Sequence, residues 1–259
     1  MKPGLLALDF DGVVCDGVDE MAESAWRTLP SPPPLSDELR ARFAALRPAI
    51  ESGWEMVALM GMLTERPAGD DAQLRDAAQF VTARDAWMQT HGRVAAELGA
   101  ALDAARAKWM ADDVRGWLGR HRFYPGIAAW LGKLIAEEQL VYVISTKARQ
   151  FIEALLVWET VPLQPEYVIG RAEPKREKWD VLQTLAIQHD VQATDVWFVE
   201  DRLATLVEMR RRAPRFGAKL FFAEWGYVFK DRDIADAKKA RIPVLTLEKA
   251  TGSFERWPR

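Results

Sequence analysis

Apolar residues run without a break from Leu5 to Leu8, and the run ends in Asp9-Phe10-Asp11-Gly12. Such a run reads as a strand covered on both faces, as in a parallel sheet. Residues 1–15 share this strand-like texture. From about residue 20 to 118 the pattern turns helical, rich in Ala, Leu, Arg and Glu and poor in β-branched runs. Prolines between Pro30 and Pro34 break that block, and Ser36 or Asp37 caps a predicted helix over 38–46. Pro48 marks a second break, followed by a predicted helix over 48–64 with Gly53 inside it. Pro67-Ala68-Gly69-Asp70 reads as a loop, and long helices are predicted over about 71–90 and 92–118.

From Arg122 onward strands and helices take turns. Phe123-Tyr124-Pro125-Gly126 reads as a linker and turn. Helices are predicted over 127–138, 148–158, 175–190 and 204–213, and strands over 140–144, 167–169, 196–199, 220–223 and 244–247. This alternation implies a parallel sheet with right-handed crossovers. The first strand belongs with the later ones. The predicted architecture is therefore α/β: a Rossmann-like parallel sheet with helices on both faces, built from 1–17 and 120–259. An all-α domain is inserted over 18–119.

Composition narrows the function. Hydrophobic residues make up 49% and charged residues 28%, which is ordinary for a globular chain. A net charge of −3 argues against a nucleic-acid binder or a polybasic membrane protein. No apolar run approaches the roughly 18 residues that a membrane span needs. The chain enters its first strand directly after Met1-Lys2-Pro3-Gly4, so no signal peptide is expected. Cys15 is the only cysteine, which excludes an intrachain disulfide and suits a cytoplasmic location. With one Cys and three scattered His (His91, His121, His189), structural zinc is not expected.

Four strand ends carry candidate chemistry. Asp9 and Asp11 crowd two carboxylates at the end of the first strand, which calls for a cation or a shared proton. A cap or turn would use the same residues. Ser145-Thr146-Lys147 follows the strand Val141–Ile144 and offers a hydroxyl and a charge to a phosphate oxygen, or simply a helix cap. Lys175 and Lys178 share a face at a predicted helix start, where lysine opposes the macrodipole unless an anion is near. Glu200-Asp201 ends the strand Val196–Val199 and could join Asp9 around a hard cation, or cap the next helix. In a parallel sheet all four strand ends lie on one edge, where open α/β sheets bind their ligands. Together they supply a nucleophile, a proton carrier, phosphate donors and a metal cage.

In this order, the four stretches resemble the motifs of the haloacid dehalogenase superfamily of phosphotransferases, in its phosphoglycolate phosphatase-like branch. The resemblance covers about 1–18 and 120–230, and the helical insertion resembles the superfamily's C1-type cap. Asp9-Phe10-Asp11-Gly12 is similar to the first motif, Ser145 to the second, and Lys178, with Lys175 as runner-up, to the third. Glu200-Asp201 is similar to the fourth, but the usual later acid is replaced by the run Leu203-Ala204-Thr205. The resemblance implies a Mg²⁺-dependent phosphatase acting on a small phosphorylated metabolite. In it Asp9 attacks phosphorus and Asp11 carries the proton. Mg²⁺ would sit on Asp9, the main-chain carbonyl of Asp11, and Asp201, with Glu200 ligating or orienting through water. Gly12, Ser145, Thr146, Lys178 and Lys175 would surround the phosphate. The presence of Asp11 favours phosphate chemistry over dehalogenation, because chloride leaves without a proton.

A capping insertion would supply substrate contacts. Arg47 and Glu51, beside the breaks at Pro48 and Ser52-Gly53, are the candidates, although an i,i+4 ion pair between them is the simpler reading. Trp225-Gly226-Tyr227 would pack a loop, and Cys15-Asp16 would form a hinge. Alternatives are a phosphosugar mutase using the same residues, or a non-catalytic binding protein of the same fold. Phosphonate hydrolysis would need a cap lysine, and Lys108 is the only lysine in 20–118.

Overall fold

A computed structural model describes residues 2–171 and 176–258. The chain divides into two compact units, Met1–Asp16 with Arg122–Arg259, and Gly17–His121. The first elements in chain order are β1 (Leu5–Leu8) and β2 (Cys15–Asp16). The helical unit follows with α1 (Val18–Arg27), α2 (Asp37–Leu46), α3 (Gly53–Glu65), α4 (Ala77–Thr90) and α5 (Ala95–Leu118). The chain then runs through β3 (Arg122–Phe123), α6 (Ile127–Ala136), β4 (Val141–Ile144), α7 (Arg149–Trp158) and β5 (Val168–Ile169). The last elements are α8 (Lys178–Gln188), β6 (Val196–Glu200), α9 (Leu203–Arg212), β7 (Lys219–Ala223), α10 (Lys230–Lys239), β8 (Val244–Leu245) and α11 (Leu247–Ala250).

The sheet unit carries six parallel strands in the order β5-β4-β1-β6-β7-β8. Strand β1 lies in the middle because all four of its side chains are apolar and fully covered. Leu6 pairs with Val141 on one side and with Trp197 on the other. After β4 the chain moves outward to β5, then returns across β1 to β6. The strand order therefore reverses at β1, and the crevice beyond the C-terminal end of such a strand is where open α/β sheets bind ligands. Val181, Leu182 and Leu185 of α8 and Leu206 and Met209 of α9 cover one face, against Leu5, Ala7, Tyr142 and Phe198. Each buried side chain of this size contributes about 1.5–3 kcal/mol.

The strands β4 to β7 differ from the sequence reading by one residue each, and three other segments depart from it in instructive ways. The predicted strand 244–247 stops at Leu245, because Thr246 accepts the Lys249 N–H (3.3 Å) and opens a short helix. Phe123, read as the start of a linker over 123–126, and Arg122 before it pair antiparallel with β2: Cys15 opposite Phe123 and Asp16 opposite Arg122. The predicted helix 48–64 is two pieces. A 3₁₀ turn covers Arg47–Ala49, and α3 starts at Gly53, where the Glu55 carboxylate accepts the N–H groups of Glu51 and Ser52 (2.7 Å each). This is a capping box, and its Ser-x-x-Glu signature lies in the sequence.

In the helical unit Ser36 caps α2, accepting the Leu39 N–H at 3.1 Å. Helix α5 is interrupted at Asp113, whose carboxylate accepts the Gly116 N–H (2.8 Å). Glu20 of α1 is fully buried and holds Arg106 of α5 through two hydrogen bonds, of 2.7 and 2.9 Å. No helix among the described residues is long and apolar enough to cross a membrane.

Candidate active site

Pairing between β1 and β6 continues one residue past the strand, through the Asp9 N–H to the Val199 carbonyl (2.9 Å). That register places Asp9 beside Glu200 and Asp201 at the switch point. A carboxylate oxygen from each of the three lies within 4.8 Å of the others, and all three residues are buried. Asp9 Oδ1 accepts the Phe10 N–H at 2.7 Å, while Oδ2 faces Lys178 Nζ at 2.9 Å. Lys178 also donates to Glu200 Oε2 at 2.7 Å, and Glu200 Oε1 accepts the Arg202 N–H at 3.0 Å. Lys178 is the first residue of α8, where its charge opposes the helix dipole and is held by the two carboxylates instead.

The electrostatics follow from this crowding. Burial, reinforced by the Glu200 carboxylate, pushes Asp9 up to about 7 against the pull of Lys178. Burial likewise raises Glu200, although Lys178 opposes it. Burial alone would lower Lys178, but Asp9 and Glu200 outweigh it and hold the ammonium above its ordinary value. Among the described residues, three carboxylates here meet one ammonium. The donors are all hard anionic oxygens, which suits a divalent cation such as Mg²⁺ better than a soft metal.

Asp201 is braced from a second direction. Its Oδ2 accepts the Tyr227 N–H at 2.7 Å, while Trp225 Nε1 donates to the Val13 carbonyl (3.1 Å) and Tyr227 Oη to Asp16 Oδ1 (3.2 Å). The loop after β7 thus ties the fourth strand end to the turn after β1. Two glycines make this approach possible. A Cβ on Gly12, which has φ +87°, would lie 2.0 Å from Asp201 Oδ2, and one on Gly226 would lie 2.3 Å from the Gly12 carbonyl oxygen. The Gly12 N–H is engaged with the Cys15 carbonyl at 2.8 Å. Gly12 was expected beside the phosphate; its amide is committed within the turn, and the residue provides room for Asp201.

Asp11 stands apart from the three-carboxylate cluster. Its side chain pairs with Lys147 Nζ, 3.1 Å from Oδ1 and 3.5 Å from Oδ2. Ser145 is buried at the end of β4; its Oγ accepts the Lys147 N–H (3.2 Å), leaving its own O–H to donate. Helix α7 starts only after Ala148 and has no side-chain cap, so Ser145 and Thr146 are not its caps. Thr146 is exposed on the turn. Lys175 lies outside the described residues. Arg47 and Glu51 belong to the helical unit: Arg47 Nη1 donates to the Ile50 carbonyl (3.3 Å), and Glu51 is exposed beside the start of α3. Cys15 is buried, and burial first, then Asp11, pushes its thiol well up, in keeping with packing. The sequence offers the Lys147 charge to a phosphate oxygen, whereas the structure pairs it with Asp11. The lysine's position after a strand end was visible, its partner 136 residues away was not.

No family model matches the chain, and no curated protein matches it. Solved structures do. A haloacid dehalogenase-like family protein from Streptococcus pneumoniae aligns with a TM-score of 0.55 at 14% identity, over 94% of each chain. The fold is that of the haloacid dehalogenase-like hydrolases. A candidate phosphoglycolate phosphatase from Lactobacillus delbrueckii aligns with a TM-score of 0.60 at 13% identity, over 97% of this chain and 98% of its own. A predicted phosphoglycolate phosphatase from Haemophilus somnus gives 0.58 at 12% identity, over 90% and 92%.

Proposed function

We propose that this chain is a Mg²⁺-dependent phosphatase acting on a small phosphorylated metabolite through an aspartyl-phosphate on Asp9. The observation that carries the reading is the separation of the two aspartates of one motif. Asp9 lies with Glu200, Asp201 and Lys178, whereas Asp11 is turned away onto Lys147. That division suits a nucleophile and a separate proton carrier. The neighbouring structures, several of them named as phosphatases, point the same way.

In this reading residues 1–17 and 120–259 form the catalytic domain, and 18–119 form a cap that selects substrate through residues such as Arg47 and Glu51. Asp9 and Asp201 would hold Mg²⁺, with the Asp11 carbonyl. Glu200, whose two oxygens serve Lys178 and the Arg202 N–H, anchors the lysine. When bound, the cation neutralises charge on the phosphoryl oxygens. Asp9 Oδ attacks phosphorus while Asp11 delivers a proton to the leaving oxygen. Asp11 then takes a proton from the water that cleaves the aspartyl-phosphate, and inorganic phosphate leaves. Lys178 and the Ser145 hydroxyl steady the phosphoryl oxygens through both steps.

A panel of phosphomonoesters assayed with and without Mg²⁺, with Asp9→Asn as control, tests this. Metal-dependent phosphate release lost in Asp9→Asn is expected. No release from any member of a broad panel, or release that survives in Asp9→Asn, would overturn it. Product analysis separates hydrolysis from transfer back to a sugar.

A further inference from the structure

We infer that Lys147 is a positioning residue that sets the place of the Asp11 carboxylate, an inference that rests on the hydrolase reading of this site. Lys147 is anchored at both main-chain ends. Its N–H donates to Ser145 Oγ (3.2 Å), and its carbonyl accepts the Arg171 N–H (2.9 Å). Its side chain is 2% exposed, against 18% for Asp11. A buried ammonium must be matched by an acceptor. Among the described residues the acceptor for Lys147 Nζ is Asp11, and the hydrogen bonds of the Asp11 carboxylate are those to Lys147. The pair joins the ends of β1 and β4 across the crevice.

Asp11 has a short side chain on a tight turn, followed by a glycine at φ +87°. Among the described residues its carboxylate is hydrogen-bonded to Lys147 alone. A proton carrier must lie within hydrogen-bond reach of the leaving oxygen and then of the attacking water. Lys147 therefore acts through Asp11, and it contributes to rate rather than to substrate affinity. The same arrangement links the second strand end to proton transfer: Ser145 serves the phosphate with its O–H while its Oγ lone pair holds the turn that carries Lys147.

The test is a cycle of Lys147→Met, Asp11→Asn and the double variant, with Lys147→Arg as the conservative change. Crystal structures of the wild type and of Lys147→Met complete it. The kinetic readouts are kcat, KM and the inhibition constant of inorganic phosphate. For Lys147→Met, kcat falls roughly 10- to 100-fold, the scale of a displaced catalytic group, with KM and phosphate inhibition nearly unchanged. Lys147→Arg recovers part of the loss, the double variant is no slower than Asp11→Asn, and the Asp11 carboxylate moves in the Lys147→Met crystal. An unmoved Asp11, an unchanged kcat, or a double variant much slower than Asp11→Asn overturns the inference. A rise in KM and in the phosphate inhibition constant with kcat intact also overturns it and assigns Lys147 to the phosphate instead. Should the wild type release no phosphate from any ester, the hydrolase reading fails by itself. The position of Asp11 in the Lys147→Met crystal then decides the structural claim alone.

Discussion

Lys178 Nζ lies 2.9 Å from Asp9 Oδ2, and it is the cation in direct contact with that carboxylate among the described residues. The ammonium opposes repulsion between Asp9 and Glu200, so its removal acts on both charge and position. In Lys178→Met, turnover of a phosphomonoester falls at least 100-fold, as for loss of one preorganised donor to a developing oxyanion. Stability falls by about 3 kcal/mol at pH 8, because two buried carboxylates lose their partner. The loss shrinks at pH 5.5, where Asp9 takes up a proton instead. Lys178 itself stays charged across this range, since its pKa is raised and the stability it brings is lost only at strongly alkaline pH. Steady-state kinetics and urea unfolding at the two pH values check both halves.

Asp9 titrates near neutrality in the absence of a cation, at about 7. The unfolded chain gives up this proton near pH 4, the folded protein only near 7, so this group makes the fold less stable as pH climbs through that window. Asp9→Asn removes the effect. Measured with chelator present, the variant gains on the wild type between pH 5 and pH 8 by on the order of 2 kcal/mol, and the gain levels off above about 7. The same proton must leave when a cation is bound. Mg²⁺ affinity therefore rises with pH towards about 7, and titration calorimetry in buffers of different ionisation enthalpy registers proton release. A pH-independent affinity with no proton release would show that the cation does not engage Asp9.

Much of this site can be read from the order of residues, because the sheet does the assembling. Apolar runs mark the strands, a parallel sheet puts their polar ends on one edge, and Asp9, Ser145, Lys178 and Asp201 each follow or face such an end. What the order does not convey is pairing between distant side chains. Asp11 with Lys147, Lys178 with Glu200, and Tyr227 with Asp201 depend on which strands are neighbours and on how far each side chain reaches. The β2–β3 pairing is hidden for a related reason: strands two residues long carry no periodicity. The start of α3 was legible in Ser52-x-x-Glu55, but the apolar texture on both sides masked it.

Gly226 offers a test of the brace behind Asp201 that leaves every charged group in place. A methyl group there would meet the Gly12 carbonyl oxygen at 2.3 Å and Asp201 Cβ at 2.4 Å, both part of the close packing between two turns. Gly226→Ala must push the loop after β7 outward, which lengthens the Tyr227 N–H bond to Asp201. If Asp201 holds Mg²⁺ as proposed, the Mg²⁺ concentration for half-maximal activity rises about tenfold, in line with loss of an outer hydrogen bond to a metal ligand, while the fold is kept. Activity titrated against Mg²⁺, with circular dichroism as the control for folding, reads the outcome. An unchanged Mg²⁺ requirement would mean that Asp201 needs no help from this loop.

The helical unit holds a further buried ion pair, Glu20 with Arg106, whose part is stability. Glu20 is fully buried, and besides Arg106 it accepts the Ser24 hydroxyl at 2.5 Å and the Trp117 indole N–H at 3.3 Å. Arg106→Met removes the guanidinium that pairs with the buried Glu20 carboxylate and leaves Ser24, Trp117 and the more distant His121 (3.8 Å) beside it, at a cost of about 3–5 kcal/mol. A well-packed apolar pair of similar volume needs no such compensation, so Glu20→Leu with Arg106→Met recovers most of that loss. Denaturant unfolding of the two variants measures the difference. The comparison separates the energy of the pair from the cost of stranding one partner. A double variant no more stable than Arg106→Met would show that Ser24 and Trp117 need the Glu20 carboxylate for their own hydrogen bonds, and that the network, rather than the pair, is the unit of stability.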